Sequence, residues 1–304
     1  PKSIFVSTHS TAPYSVDYDF IMSDRMDDLQ AGINIMSTLI DKPINLSTTH
    51  KKDSSFTNLN NVEIFNIKGV HPSGNESFQI NKIDPLNFGE TVWVVKPEDL
   101  ANIGAFFKTG VFCSTRTIAV SGDSLKSPKY FSTVIGSSIS SLINNDEIND
   151  INNYRFINGD PLSGSKVEYS KYIGFYNNCL SVIEEGNNYR MLGWLPFMYN
   201  SVPSLSKTSF SWLLGGAKKV NTNLNGEERA IVVTGEMEKY FPMDIYPMQL
   251  IKACMRGDIE KMESLGIYEV VPEDFGLVDF SCTSKIEAQE IIKSGIQIML
   301  KEVG

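Results

Sequence analysis

Apolar residues recur with more than one period along the chain, and each change of period marks a change of element. Residues 3–6 (Ser-Ile-Phe-Val) form a short run of strand type. Beyond a loop containing Pro13, the residues Met26, Leu29, Ile33, Met36 and Ile40 return at steps of three and four. That spacing is one face of an amphipathic helix, predicted to end near Asp41-Lys42-Pro43. Ile44 to Leu46 and Val62 to Ile67 read as strands, and the polar stretch between them, Thr48 to Asn60, has room for a short helix. A further strand at Thr91 to Val95 and a helix from Pro97 to Lys108, with Leu100, Ile103 and Phe107 turned inward, close this unit near Gly110. Strand, helix, strand, crossover, strand implies a parallel sheet, so residues 1–110 are expected to form an α/β domain.

From Arg116 the texture changes. Thr117 to Val120, Tyr130 to Val134, Arg155 to Ile157 and Leu180 to Ile183 are short strand candidates, punctuated by Gly122-Asp123, Gly136 and Gly159-Asp160-Pro161. Residues 111–194 thus read as a small mixed β domain with one helix, Ile139 to Ile143, ending near Trp194. Leu195 to Lys219 is rich in aromatics and serines and has no clean period, which suits a linker or docking element. Its Phe197, Met198, Tyr199, Phe210 and Trp212 serve either as an internal clamp or as interface anchors. The remainder of residues 195–304 is helical. Pro247 and Gly257 bracket one helix, Asp258 caps a short one closed by Gly266, and Ser284-x-x-Glu287 reads as a capping box opening a final helix. Ala288, Ile292, Gly295 and Met299 share one face of that helix.

The composition narrows the function. A chain of 304 residues, 41% apolar and with 22 glycines, has the make-up of a folded protein of two or three domains at roughly 100–200 residues each. Its longest apolar runs, Val92 to Val95 and Ala230 to Val233, fall far short of the ~18 residues that a membrane helix needs. A net charge of -9 supplies no basic field to neutralise phosphates, which argues against a nucleic-acid partner. Cys113, Cys179, Cys254 and Cys282 lie far apart, so they read as free thiols in a reducing compartment rather than as a metal site. The chain opens at Pro1 without a methionine and reaches a strand within three residues, so a further segment is expected upstream.

The usual nucleotide signatures are missing. No two glycines are separated by a single residue, so a G-x-G-x-x-G turn cannot occur, and there is neither a Gly-Lys phosphate loop nor a G-x-S-x-G elbow. His9, His50 and His71 are too scattered to suggest a metal centre, although folding could unite them. On residues alone the chain is a scaffold or a ligand-binding module.

Several segments in order point further: residues 4–21 (IFVSTHSTAPYSVDYDFI), 69–74 (GVHPSG), Asp84-Pro85, 116–122 (RTIAVSG), 234–246 (TGEMEKYFPMDIY) and 266–274 (GIYEVVPED). Together they resemble the A subunits of sodium-translocating NADH:quinone oxidoreductases over essentially the whole chain. The resemblance implies a Rossmann-like parallel domain related to the flavin-binding fold of respiratory complex I. It further implies a β-grasp (soluble-ligand-binding) domain and a C-terminal helical domain derived from a ferredoxin-like unit. Upstream it implies a domain that looks like a biotinyl or lipoyl carrier.

What the relatives carry and this chain lacks shapes the functional expectation. In place of the complex I subunit's acidic N-A-D-E-S-E-P-G loop stand Ser7-Thr8-His9-Ser10-Thr11-Ala12-Pro13-Tyr14, in which only the proline survives. His71-Pro72-Ser73-Gly74-Asn75-Glu76 resembles the Y-P-Q-G-G-E of the Rnf complex subunit, so His71, Pro72 and Gly74 form either a tight turn near the old cofactor crevice or a direct ligand contact. The Gly159 to Gly164 loop offers the same two readings. Aligned on Phe241-Pro242, the relative's two cysteine quartets fall on Ile231, Thr234, Met237 and Phe241, then on Pro272, Phe275, Val278 and Cys282. Only Cys282 keeps a thiolate ligand, and iron–sulfur clusters need cysteine sulfur.

The implied function is the cytoplasmic-side subunit of a bacterial inner-membrane sodium pump that passes electrons from NADH to quinone. The chain is expected to carry no flavin, metal or iron–sulfur cluster and no catalytic residue of its own, those cofactors residing in partner subunits. Its share would be quinone reduction at the boundary with a membrane subunit. The rival reading is a purely structural subunit.

Overall fold

All five residues of Ser3–Ser7 (β1) are buried, as expected of a strand covered on both faces in the middle of a parallel sheet. The computed structural model describes residues 1–49, 54–143, 148, 150–187, 203, 205, 213 and 219–302. β1 pairs in parallel with Ile44–Thr49 (β2) on one side and Val92–Val94 (β4) on the other, while Val62–Ile67 (β3) extends the sheet beyond β2. The order is β3-β2-β1-β4. The chain therefore leaves β1 toward one edge and returns to its other side for β4, which opens a crevice beyond the carboxyl ends of β1 and β4.

Helices Tyr18–Ile21 (α1), Met26–Met36 (α2), Glu76–Ile83 (α3) and Pro97–Thr109 (α4) connect these strands. The Met26 stripe forms as expected, with Leu29 and Ile33 fully buried, but α2 ends at Met36 and a 3-10 turn, Ser37–Leu39, completes the run. Leu100 is buried in α4, whereas Phe107 is 68% exposed and does not point inward. At Gly104 α4 touches the first turn of α2, where a Cβ would overlap the Asp28 carbonyl oxygen, so Phe107 lies a turn further along α4, near where α2 begins. The polar stretch after β2 holds a 3-10 turn at Ser55–Asn58.

The second sheet comprises Thr115–Ser121 (β5), Lys129–Val134 (β6), Tyr154–Asn158 (β7), Ser165–Val167 (β8) and Cys179–Glu184 (β9), in the order β6-β5-β9-β7-β8. β5 and β9 are parallel and the other pairs antiparallel, with the short helix Ile139–Leu142 (α5) packed below. The expected end of this unit near Trp194 lies outside the described residues.

The C-terminal helices are Pro247–Arg256 (α6), Ile259–Ser264 (α7), Gly276–Ser281 (α8) and Ala288–Glu302 (α9). Asp258 caps α7 by accepting the Lys261 N–H at 3.3 Å, and Gly257 and Gly266 follow α6 and α7 with left-handed backbones, as the sequence suggested. The capping box at Ser284 does not form. Ser284 Oγ instead donates to the carbonyl of Ala230 at 3.1 Å, and the start of α9 is capped from another helix, by Asp279, which accepts from the Ala288 N–H at 2.6 Å. Ala288, Ile292, Gly295 and Met299 are buried on one face of α9. Met237, Phe241, Phe275, Val278 and Cys282 meet in the same core, where the rings of Phe241 and Phe275 lie 4.8 Å apart. Five of the eight positions aligned with the relative's quartets are thus packed against one another as core side chains.

Candidate functional site

The loop Ser7 to Ser15, which leaves β1 at the crevice, is held by the turn before α3. Gly74 N–H donates to Thr11 Oγ1 at 2.9 Å, the same hydroxyl lies 3.2 Å from His71 Nδ1, and His9 Nε2 lies 3.3 Å from Ser73 Oγ. A side chain at position 74 would press on Thr11, whose amide nitrogen would be 2.6 Å from a Cβ, so the close approach of the two loops requires glycine there. Folding thus brings His9 and His71 to one seam, each bonded to a hydroxyl. Burial holds both imidazoles below the usual histidine range. His50 lies outside the described residues, and among the described residues no group of three or more His, Cys, Asp or Glu side chains could hold a metal ion.

Beside this seam opens a cavity of about 670 Å³. One wall is the β1 loop and the first turn of α3, including His9, Thr11, Gly74, Asn75 and Glu76. Val92, Val94 and Lys96 come from β4 and its exit, Asn158 to Asp160, Ser163 to Ser165 and Asn177 to Cys179 from the second sheet and its loops, and Tyr268 to Val271 and Glu273 from the C-terminal region. Every segment of the chain that resembled the family, apart from residues 116–122 and 234–246, contributes to it or, like Asp84-Pro85, abuts it. Gly74 faces the cavity, while His71 and Pro72 stand behind it in the turn that positions it. Phe210 and Trp212 lie outside the described residues.

Behind the lining residues Tyr18 and Asn178 runs a polar chain to Glu98. Asn178 Nδ2 donates to Glu98 Oε2 at 2.9 Å and to the Tyr18 hydroxyl oxygen at 3.2 Å. Burial raises the Glu98 carboxyl above its ordinary value, and burial with the nearby Glu98 charge raises the Tyr18 phenol, so Tyr18 is a neutral donor. The Cys179 thiol is pushed up to about 12 by burial, which leaves it unreactive at neutral pH. Asp160 is committed to its own loop, accepting from the N–H groups of Leu162 at 2.8 Å and Ser163 at 3.1 Å. The Gly159 to Gly164 segment is therefore a self-capped turn that also faces the cavity.

Glu98 carries a pH prediction. Its folded pKa exceeds its unfolded one, so stability falls as pH rises from the ordinary value of 4.5 through the folded pKa. Glu98→Gln removes the titration and keeps an oxygen for Asn178. In urea unfolding at a series of pH values the variant should gain most over the wild type near pH 8 and least near pH 5. A stability difference independent of pH would mean that the carboxyl is not held above its usual range.

Gly74 and the β1 loop, singled out in the sequence, line the cavity; Tyr18, Lys96, Asn177 and Asn178 line it too and were not singled out. The Asn177-Asn178 pair and the charged residues flanking Pro97 were the available signals.

Comparison with known proteins bears on the same segments. A family model described as NqrA second alpha/beta domain matches residues 1–112, and one described as NQRA C-terminal domain matches residues 117–169. The A subunit of the Na(+)-translocating NADH-quinone reductase of Neisseria meningitidis serogroup B (strain ATCC BAA-335 / MC58) is 31% identical over 303 residues, covering 99% of this chain and 67% of the relative. The corresponding protein of Haemophilus influenzae (strain PittGG), which bears the same name, is 32% identical over the same coverage. Among solved structures, a chain of an NAD+-reducing [NiFe]-hydrogenase in the air-oxidized state is similar with a TM-score of 0.47 and 10% identity, covering 99% of this chain and 55% of that one.

Proposed function

The chain belongs to the NqrA family, the A subunits of the Na(+)-translocating NADH-quinone reductase, an oxidoreductase complex, and from that premise we propose that its cavity receives the quinone. The observation that carries this reading is the charge of the walls. Among the described residues, Glu76, Asp160, Glu269 and Glu273 line the cavity against one lysine, Lys96. Of the two substrates in the relatives' name, NADH bears a pyrophosphate that such walls repel, whereas a quinone is uncharged. The apolar residues Ile80, Leu86, Val92, Val94 and Val270 suit a ring, and the hydroxyl and amide groups suit its carbonyl oxygens.

In this reading residues 1–110 act as a Rossmann-like unit, 111–194 as a β-grasp unit and 195–304 as a ferredoxin-derived unit that has traded its clusters for a packed core. Flavins and iron–sulfur clusters belong to partner subunits. Among the described residues no helix is long and apolar enough to cross a membrane. The chain would sit at the cytoplasmic face of a bacterial inner membrane against a membrane subunit, from which the quinone reaches it.

The rival reading, a scaffold with no small-molecule site, draws support from the side-chain bonds between α3 and the C-terminal region, such as Ser77 to Asp274 and Asn81 to Glu269. Calorimetric titration separates the two. Ubiquinone-1 should bind the chain saturably and NADH should not. Binding of NADH would overturn the charge argument, and binding of neither would leave the scaffold.

A further inference from the structure

Reduction of a quinone consumes two electrons and two protons, each carbonyl C=O becoming C–OH. The oxidation of NADH supplies the electrons, so a quinone cavity also needs an acid. Among the described residues four carboxyl groups line this one, and three of them are otherwise engaged or open to water. Asp160 accepts three hydrogen bonds within its own turn. Glu269 accepts from Asn81 Nδ2, and Glu273 is exposed.

Glu76 differs from these. It is the first residue of α3, adjacent to the turn that Gly74 locks against Thr11, so its backbone is fixed relative to the β1 loop. Glu76 and Tyr18 both line the cavity, so the two residues face a common space. Tyr18 oxygen accepts from Asn178, which leaves its own O–H free to donate to a ligand.

Resting on the quinone reading above, we propose that Glu76 is the acid that protonates a carbonyl oxygen of the quinone, with the Tyr18 hydroxyl as a hydrogen-bonding anchor. The Glu76 O–H breaks as the quinol O–H forms. The resulting carboxylate regains its proton from water, and water supplies the second proton. Burial holds Glu76 above the ordinary glutamate range; a hydrogen bond from its own backbone N–H and the charge of Lys96 beyond β4 oppose the effect, and Asp274 and Glu273 on the 3-10 turn at Pro272–Phe275 add to it. His9 from the β1 loop, Tyr18 from α1, Cys179 from β9 and Tyr268 from the C-terminal region complete the titratable groups lining the same space, with Asp160 and Glu269.

The test uses the assembled complex carrying Glu76→Gln or Glu76→Asp. Glu76→Gln should lower NADH:ubiquinone-1 reductase kcat by roughly 100-fold, the scale of a lost general acid. Its quinone KM and its NADH:ferricyanide activity, which delivers electrons without protonating a carbonyl, should stay unchanged. The alkaline limb of the wild-type kcat profile should vanish in Glu76→Gln and persist, at a shifted pH, in Glu76→Asp. A wild-type rate and pH profile in Glu76→Gln would overturn the proposal, as would equal losses of quinone and ferricyanide activity in both variants. Failure of the wild-type chain to bind ubiquinone-1 would instead overturn the cavity reading beneath it.

Discussion

Gly104→Ala is expected to destabilise the chain by about 3 kcal/mol, the upper end of the usual range for overpacking. α2 and α4 touch backbone to backbone. A Cβ on Gly104 would overlap the carbonyl oxygen of Asp28 and lie 2.6 Å from the amide nitrogen of Gly32, and one on Gly32 would overlap the Leu100 carbonyl. The obstructing atoms are main chain, so no rotamer change relieves the clash. The helices must separate, and separation opens the core that Leu29, Ile33, Leu100 and Ala101 close. Urea unfolding should give a lower midpoint with an unchanged slope. Gly110→Ala provides the control. Gly110 has a left-handed backbone (φ 73°) and open space around it, so alanine there meets strain alone, about 1 kcal/mol. If the two variants lose the same stability, the close helix contact is not what Gly104 provides. Because α4 begins at Pro97 and carries Glu98 in its first turn, Gly104→Ala should also weaken ligand binding in the cavity.

The frame of the first sheet was legible because its signals are local. Strand runs and one clean helical stripe, taken in order, imply parallel pairing, and parallel pairing with this return path implies a crevice. α3 was not legible. Its residues Glu76 to Ile83 carry no apolar stripe, and its most buried members are Gln79 and Ile80, so tertiary packing rather than period makes it a helix. The false capping box at Ser284 has a related cause. A four-residue pattern can propose a cap, yet the orphan N–H groups of α9 donate to whichever carboxylate the fold delivers, and α8 delivers Asp279. The cavity divided in the same way. Gly74 and the β1 loop stood out as motifs, whereas Tyr18, Lys96 and Asn178 acquire meaning only when three regions far apart in sequence meet.

The second large effect is expected at the seam where the C-terminal region grips α3. Asp274 is 3% exposed and accepts hydrogen bonds from the Ser77 hydroxyl, from Asn75 Nδ2 at 3.2 Å and from the Val271 N–H at 3.0 Å. Burial holds its carboxyl above the ordinary aspartate range while these donors pull the other way. Asp274→Ala strands the donors in a dry seam, at about 1–3 kcal/mol for each one left unsatisfied. A total loss of about 3 kcal/mol is expected, because Asn75 and Ser77 lie nearer the cavity and can turn toward water. Asp274→Asn should lose less, since its one oxygen still serves part of the set. The functional consequence sets this site apart from an ordinary core position. Asn75 and Ser77 flank Glu76, so releasing them frees the first turn of α3. Asp274→Ala should therefore weaken ubiquinone-1 binding under conditions where the chain remains folded. Gly104→Ala acts through α4, more than one element away, and the double variant should show near-additive losses of stability. If Asp274→Ala lowers stability and leaves quinone affinity at the wild-type value, the seam is a structural clamp only, and the wall bearing Glu76 is held by the Gly74 turn alone.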